Sequence, residues 1–481
     1  MKKTKLFIDN ILIYGLGGVI NKIIPIIMLP IVTRLMPDTS YFGINDLQST
    51  VVSFISAVAM LGVYDALYRL FFEKDDDNYK KSMCTTALVI VMVMALIASL
   101  GLIILKKQIA IQIFHNEQYD YLCVIAAITI IADNIKGIVQ APTRMQNQRK
   151  VYIVTNVLTS VFIYILAVPM ILKGYFVTAL PLAALVSSLI MVLVFWALNH
   201  SWFEMKLFNK NHISELLKIG IPLMPTFIIF WVFNSCDKLM ISSFLGVAAN
   251  GIYAVGSKLA HASQILNTAF GGGWSFFVYS TMKDKDRVES NSMIFELMSA
   301  IIFLCSLGVF VLAKPIYQLF FIGDYVSGYI VSPYLFCAPL MQMLFYVASD
   351  QLLIIKKAWP ITAMLAFGAV VNVSLNYILI PILGIEGAAI STMLGYTVSL
   401  IVCLIIVNKA KLLRISMKCY ILILEFFVFI VLWKIFRENI VFGFAYVILY
   451  FINFIIFYKD ILHAFILKFK RKEEEYENTI C

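Results

Sequence analysis

The sequence predicts an all-helical, polytopic membrane protein with fourteen transmembrane helices. The chain is 61% hydrophobic and only 14% charged, whereas a soluble domain is about 45–50% apolar and about 25% charged. Its apolar stretches are also long enough to cross a membrane, since a hydrocarbon core about 30 Å thick needs roughly 20 apolar residues in a helix. The positions of the lysines and arginines then orient the spans.

The first apolar stretch, within residues 9–43, carries a charged residue near the middle of its helix. This residue is Lys22, and a charge at the centre of a bilayer costs on the order of 2.5–3.5 kcal/mol. Lys22 is therefore expected to have a partner or a ligand. The basic N-terminus is similar to that of a signal peptide, but the apolar run continues to Val32 without a small-residue cleavage site. This pattern predicts an uncleaved first span.

The remaining spans are apolar runs bounded by charged or turn residues. The fourteen predicted spans are 10–33, 44–68, 83–105, 119–140, 151–172, 177–198, 215–236, 249–271, 291–313, 331–353, 360–382, 385–407, 418–436 and 440–458. A glycine triplet at 271–273 is expected to close the eighth span. Lysine and arginine concentrate in the cytoplasmic loops of membrane proteins. Here 25 of them fall on the side of the N-terminus and 8 on the other, which predicts that both termini are cytoplasmic.

A weak internal repeat divides the chain. Residues 41–49 align with 249–257 at an offset of 208, and 148–152 align with 355–359 at an offset of 207. Two copies of one six-helix unit, related by an axis along the membrane normal, would give this pattern. The predicted units are an N-lobe of six spans (1–208), a C-lobe of six spans (209–412), two further spans (413–460) and a cytoplasmic tail (461–481). A substrate site is expected between the lobes.

Ionisable residues inside spans are candidates for function. Some have an obvious alternative, because Asp65 with Arg69 and Asp133 with Lys136 are spaced to pair on their own helices. The candidates for binding an anionic headgroup are Lys22, Arg34, Arg69, Lys238, Lys258 and His261. The candidate charge partners or ion-coupling residues are Asp65, Asp237 and Glu296.

Lys22 and Lys258 are the strongest of these candidates, because neither has a carboxylate one turn away on its own helix. Two alternatives stay open: either lysine pairs with Glu296, or Lys258 extends toward the nearer end of its helix. On spans 1, 2, 7 and 8, the basic residues Lys22, Arg69, Lys238 and Lys258 outnumber the acidic residues Asp65 and Asp237. This surplus of two positive charges favours an anionic cargo over an organic cation.

Several other classes of function are disfavoured by the sequence. No phosphate-binding loop, zinc spacing or catalytic histidine set is found, and no loop exceeds about twenty residues. A membrane glycosyltransferase or polymer ligase would need a carboxylate base and usually a large external loop. We therefore expect no enzymatic activity, no cofactor, no metal site and no nucleic-acid partner. Prolines at 25, 30, 222 and 225 predict kinks in the first and seventh spans, as a rocking transporter requires.

Three segments together resemble a known family. They are LPIVTRLMPDTSYFG at 29–43, NGIYAVGSKLA at 250–260 and NYILIPILGIEGAAISTMLGYT at 376–397. Over about residues 6–410 the chain resembles the Wzx-type flippases, the polysaccharide transporters of the multidrug/oligosaccharidyl-lipid/polysaccharide (MOP) superfamily. The resemblance implies two lobes around a cationic cavity, alternating access, and a place in the bacterial cytoplasmic (inner) membrane. Its implied cargo is an undecaprenyl-diphosphate-linked glycan for O-antigen, capsule or a teichoic-type polymer.

The resemblance also implies roles for particular residues and leaves alternative functions open. Lys22 and Arg34 match basic residues of the first helix of the related lipid II flippases, but Met28 and Leu29 stand where that branch has further basic residues. This departure counts against a peptidoglycan precursor. A cation-coupled multidrug exporter of the MATE type and a lipid II flippase remain the alternatives. Expected partners are membrane lipids, H+ or Na+ as coupling ion, and a polymerase of the same polysaccharide pathway.

Overall fold

The computed structural model describes the backbone of residues 22–480 and the side chains of 22–461 other than 269, 272, 275 and 276. This part of the chain is helical and contains no strand. Eleven of its helices are long and apolar enough to cross a membrane, or twelve if one bent pair forms a single span. The all-helical polytopic class is confirmed. The count of fourteen stays a prediction, because span 10–33 is described only from residue 22 and span 249–271 is divided between two helices.

The helices follow one another with short connections. Those before residue 200 are α1 (22–35), α2 (Thr39–Met60), α3 (Val63–Leu70), α4 (Asp77–Ile104), α5 (Lys106–Phe114), α6 (Asp120–Val139), α7 (Ala141–Met145), α8 (Arg149–Leu172) and α9 (Ala179–Asn199). Those after residue 200 are α10 (Lys210–Trp231), α11 (Asp237–Leu245), α12 (Val247–Ala260), α13 (Ser263–Ser280), α14 (Arg287–Phe320), α15 (Ser332–Ile354), α16 (Trp359–Leu383), α17 (Ile385–Lys409), α18 (Met417–Phe436) and α19 (Ile440–Ile480).

Two predicted spans are broken in the structure. Span 44–68 consists of α2 and α3, which meet at 44°, and Gly62 at the bend has φ +67°, a left-handed conformation that glycine adopts without a Cβ penalty. Span 249–271 consists of α12 and α13, with the break at His261 and Ala262. The glycine triplet at 271–273 lies inside α13, which continues to Ser280. The prediction that this triplet closes the helix was therefore wrong.

The seventh span is irregular as predicted from its prolines. Pro222 and Pro225 lie inside α10, where each removes a backbone hydrogen bond. A π-helical turn over Val232–Cys236 then joins α10 to α11. Because a π-turn offsets the side chains that follow it, the face presented by α11 differs from the one a continuous helix would present.

Helices α2 and α12 cross in close contact at two glycines. A Cβ on Gly43 would lie 1.9 Å from the carbonyl oxygen of Val247, and a Cβ on Gly251 would lie 1.9 Å from that of Thr39. The backbones therefore touch where neither residue has a side chain. Gly43 and Gly251 are also paired by the predicted repeat, and their contact is reciprocal, as a two-fold relation would make it. The boundaries of the two lobes stay a prediction.

The two helices beyond the predicted repeat, α18 and α19, pack against α14. The rings of Phe303 and Phe426 stack with centroids 4.5 Å apart. Glu425, in the middle of α18, accepts hydrogen bonds from Asn453 Nδ2 at 3.1 and 3.2 Å. This carboxyl therefore joins α18 to α19. Helix α19 continues past the last predicted span to Ile480, with a non-helical conformation at Tyr458.

Candidate functional site

A buried carboxylate that the sequence analysis had not singled out lies at the centre of the site. Asp46 is on the second turn of α2 and its side chain is only 3% exposed. Lys238 of α11 places its Nζ 3.0 Å from Asp46 Oδ2. Lys258 of α12 places its Nζ 3.9 Å from Asp46 Oδ1. One carboxylate of the predicted N-lobe is therefore shared by two lysines of the predicted C-lobe.

The charges of Lys238 and Lys258 are buried and compensated to different degrees. Lys238 is largely buried, with a side chain 12% exposed, whereas that of Lys258 is 40% exposed. The Nζ of Lys258 also lies 4.5 Å from the centroid of the Phe42 ring, a cation–π contact that compensates part of its charge. Asp46 is the one carboxylate of the described residues that contacts these two ammonium groups, so the three side chains together keep a net positive charge. Lys258 is the member that remains accessible.

Lys22 lies on α1 and faces α13. Its Nζ is 3.3 Å from Gln264 Oε1, and no carboxylate among the described residues lies within 4 Å of it. Its described polar partner is therefore a neutral amide. His261, at the break between α12 and α13, interacts electrostatically with Lys22, Lys238 and Lys258 and with Asp46. The structure thus places three of the six predicted headgroup residues, Lys238, Lys258 and His261, around Asp46, with Lys22 beside His261.

Asp237 is buried beside this cluster but does not pair with the side chain of Lys238. Its carboxylate accepts hydrogen bonds from the hydroxyl of Tyr253 and, at 2.8 Å, from the backbone N–H of Lys238. A cavity of about 20 Å³ lies next to it, lined in part by Ser257, His261 and Thr392. This volume has room for about one water molecule. Among the described residues, no group of three or more His, Cys, Asp or Glu side chains could hold a metal ion.

Four predicted site residues lie elsewhere: Arg34, Asp65, Arg69 and Glu296. Arg34 donates to the carbonyl oxygen of Leu319 at 3.5 Å. Asp65 and Arg69 are exposed on α3, at the opposite end of the α2–α3 span from Asp46, and no ion pair joins them within the described part of the chain. Their predicted pairing is therefore not found. Asp133 and Lys136, by contrast, do pair as expected, at 2.5 Å.

Glu296 does not pair with Lys22 or Lys258, so that alternative was wrong. Its oxygens accept hydrogen bonds from the backbone N–H of Ser416 at 2.6 Å, from the Ser416 hydroxyl at 2.8 Å and from the Tyr458 hydroxyl at 2.9 Å. The carboxylate joins α14 to the start of α18 and to α19. Its contacts explain its burial without a ligand.

The charge count of the sequence analysis also needs correction. Spans 1, 2, 7 and 8 also contain Asp46, which lies within predicted span 44–68 and inside the repeated segment 41–49. Including it reduces the surplus of positive charge from two to one. Counting every carboxylate within the predicted spans would have found this residue.

The fold is similar to that of several solved transporters. "Lipid II flippase MurJ, inward closed conformation" superimposes with a TM-score of 0.73 at 14% identity, covering 94% of this chain and 100% of that chain. An inward-facing multidrug resistance MATE family transporter of the MOP superfamily gives 0.57 at 15% identity, covering 82% and 94% of the two chains. A MOP superfamily transporter from Pyrococcus furiosus gives 0.58 at 14% identity, with 83% and 95% covered. At these identities the likeness shows the fold alone.

Sequence comparison shows the family. No curated protein sequence matches the chain. Residues 31–327, more than half of the chain, match the family described as "Polysaccharide biosynthesis protein". The chain therefore belongs to the polysaccharide biosynthesis protein family and has the fold of the MOP-superfamily transporters.

Proposed function

We propose that this protein is a flippase that moves undecaprenyl-diphosphate-linked oligosaccharides across the bacterial cytoplasmic membrane by alternating access. The oligosaccharide would be a repeat unit of O-antigen, capsule or a teichoic-type polymer. The observation that carries the proposal is the cluster of Lys22, Lys238 and Lys258, in which Lys238 and Lys258 share the carboxylate of Asp46 and Lys22 contacts only the amide of Gln264 among the described residues. In this proposal both termini face the cytoplasm, as the distribution of basic residues predicts.

The charges of the cluster suit a diphosphate. Lys22 contacts a neutral amide and Lys258 is partly exposed, so both can donate to an incoming anion. Charge-assisted hydrogen bonds from ammonium to phosphate oxygen are about twice as strong as neutral ones. The low dielectric of a membrane protein interior strengthens such an interaction further, compared with water.

Alternating access is supported by close helix contacts at two levels of the bundle. One is the crossing of α2 and α12 at Gly43 and Gly251. The other joins α3 to α10, where a Cβ on Gly62 would lie 2.4 Å from the carbonyl oxygen of Gly220. The cavity beside Asp237 and His261 has a volume of about 20 Å³, which is too small for a diphosphate. In this proposal, cargo enters between the lobes when one of the two helix contacts opens.

A reconstituted transport assay tests the proposal. The purified protein in proteoliposomes should transfer a fluorescent isoprenyl-diphosphate oligosaccharide between leaflets, measured by quenching from one side. Lys258→Ala should abolish transfer. Lys107→Ala is a matched control, because Lys107 forms an exposed ion pair with Glu117 at 2.9 Å. Transfer that is equal in all three proteins, or absent from the wild type, would contradict the proposal.

The runner-up is a cation-coupled multidrug exporter of the MATE type. It is favoured by two buried carboxylates, Asp46 and Asp237, which are 4% and 3% exposed and are both hydrogen-bonded. Uptake of a labelled organic cation that requires Asp237 and is insensitive to Lys258→Ala would support it. In the flippase proposal, Asp237 is instead the candidate for coupling to H+ or Na+, and a polymerase of the same pathway is the candidate protein partner.

A further inference from the structure

We infer that Asp46 is a built-in counter-ion that occupies the place of the cargo's diphosphate between Lys238 and Lys258 and is displaced when cargo binds. This inference rests on the proposed function and adds to it a specificity-determining residue. The proposed function requires only that the lysines bind an anion. Before the anion arrives, Asp46 pairs with these lysines, and binding of the anion releases Asp46 from them.

The geometry is that of a shared anion site. Lys238 contacts both oxygens of Asp46, with its Nζ 3.0 Å from Oδ2 and donating to Oδ1 at 3.3 Å. The Nζ of Lys258 lies 3.9 Å from the same Oδ1. The carboxylate is 3% exposed, so its charge depends on these two partners rather than on water. A phosphate oxygen accepts from an ammonium group in the same way as a carboxylate oxygen does. Asp46 and a diphosphate would therefore compete for the same donors.

The charges favour replacement by a more highly charged anion. One carboxylate neutralises one of the two lysines, and Lys22 contributes a third positive charge whose described partner is an amide. A diphosphate carries at least two negative charges and three or more acceptor oxygens, so it matches this cluster better than Asp46 does. A neutral or cationic solute has no anionic group that could replace the Asp46 carboxylate at the two lysines. Asp46 would thus exclude such solutes while allowing a diphosphate to enter.

Displacement of Asp46 would also loosen the helix crossing. Asp46 lies three residues after Gly43, so both face the same side of α2, and the amide of Asn250 donates to the Gly43 carbonyl oxygen at 3.1 Å. Asp46 therefore joins α2 to α11 through Lys238 and to α12 through Lys258, beside the Gly43–Gly251 crossing. When a diphosphate binds both lysines, these ion pairs are lost and α2 can separate from α12. Cargo binding and opening at this end become linked.

Binding of a short isoprenyl diphosphate to the purified protein tests the inference. Farnesyl diphosphate serves as the probe and farnesol, which lacks phosphate, as its control, with affinities measured by calorimetry in detergent. Asp46→Asn removes the competing charge at nearly constant shape. It should bind farnesyl diphosphate about tenfold more tightly or better, with farnesol binding unchanged. Asp133→Asn is the matched control, because Asp133 pairs with Lys136 at 2.5 Å outside the cluster, and its affinity should equal that of the wild type.

The outcomes separate the inference from the proposed function. Equal affinity of the wild type and Asp46→Asn for farnesyl diphosphate overturns the inference and leaves the flippase proposal standing. No binding to any of the folded proteins contradicts the flippase proposal as well. If Asp46→Asn does not fold, the wild type alone gives a second test. Farnesyl diphosphate, but not farnesol, should lengthen the distance between spin labels on α2 and α12, and an unchanged distance overturns the inference.

Discussion

Replacing Gly251 with alanine is the sharpest structural test of the contact between α2 and α12. The added Cβ would lie 1.9 Å from the carbonyl oxygen of Thr39 and 3.1 Å from the backbone nitrogen of Gly43. Both are backbone atoms, which cannot rotate away as the end of a flexible side chain can. An ordinary contact of a Cβ begins near 3.4 Å, so the two helices must separate by about 1.5 Å at the crossing.

The cost of this separation can be estimated. Overpacking a well-packed contact costs about 1–3 kcal/mol, while alanine in place of glycine stabilises a helix by roughly 0.5–1 kcal/mol. A net penalty of about 1–2 kcal/mol on the closed contact would reduce its population about five- to thirtyfold relative to states in which the helices are apart. Gly43→Ala should have a similar effect, because its Cβ would meet the carbonyl oxygen of Val247 at the same distance.

Pulsed electron paramagnetic resonance measures the effect directly. Spin labels at Ser40 and Ala248, near the first turns of α2 and α12, should show a longer mean distance or a new longer component in Gly251→Ala. Gly308→Ala is the control, because a Cβ there meets no atom within 4 Å. A distance distribution in Gly251→Ala identical to that of the wild type and of Gly308→Ala would mean that α2 and α12 are not in backbone contact at this glycine.

Three further predictions concern the charged residues. Lys22→Ala or Lys258→Ala should abolish export of surface polymer, measured by a polymer assay, without lowering the amount of protein in the membrane, measured by immunoblot. Lys22→Arg should retain part of the export, because its charge persists while its geometry changes. Full export in both alanine variants would show that these lysines are not ligands of the cargo. Asp46→Ala should destabilise the protein by about 3–5 kcal/mol, because it leaves Lys238 buried without a partner. The double variant Asp46→Ala/Lys238→Met should recover most of this lost stability in thermal unfolding. A double variant no more stable than Asp46→Ala would contradict the ion pair between Asp46 and Lys238. Glu296→Gln should lower stability by about 1–3 kcal/mol, because it replaces one of the two acceptor oxygens by an NH2 donor that faces other donors, with transport per folded molecule unchanged. Loss of ion-dependent transport at normal stability would instead make Glu296 a coupling residue.

Features that depend on local sequence could be predicted. Predicted span 83–105 corresponds to α4 (Asp77–Ile104), and span 385–407 to α17 (Ile385–Lys409), because an apolar run bounded by polar residues defines where a helix meets the membrane surface. The absence of a nearby carboxylate correctly separated Lys22 from Lys136, since pairing within one helix depends only on spacing.

Features that depend on contacts between distant segments could not be predicted. Asp46 and Lys238 are 192 residues apart in the sequence, and Glu296 and Tyr458 are 162 residues apart. The sequence around each of these residues does not indicate which distant residue it contacts. The break at His261 was missed for a different reason. The apolar run continues across it, so hydropathy does not change where the helix stops.

The central claim is that positively charged residues between the lobes carry a diphosphate-linked glycan across the membrane. Its most direct test is to delete the gene and determine in which leaflet the lipid-linked intermediates accumulate, using an impermeant enzyme on spheroplasts and on inverted vesicles. If the protein is this flippase, the intermediates accumulate in the inner leaflet of the deletion strain, and the wild-type protein relieves the accumulation whereas Lys258→Ala does not. Intermediates that still reach the outer leaflet in the deletion strain would contradict it.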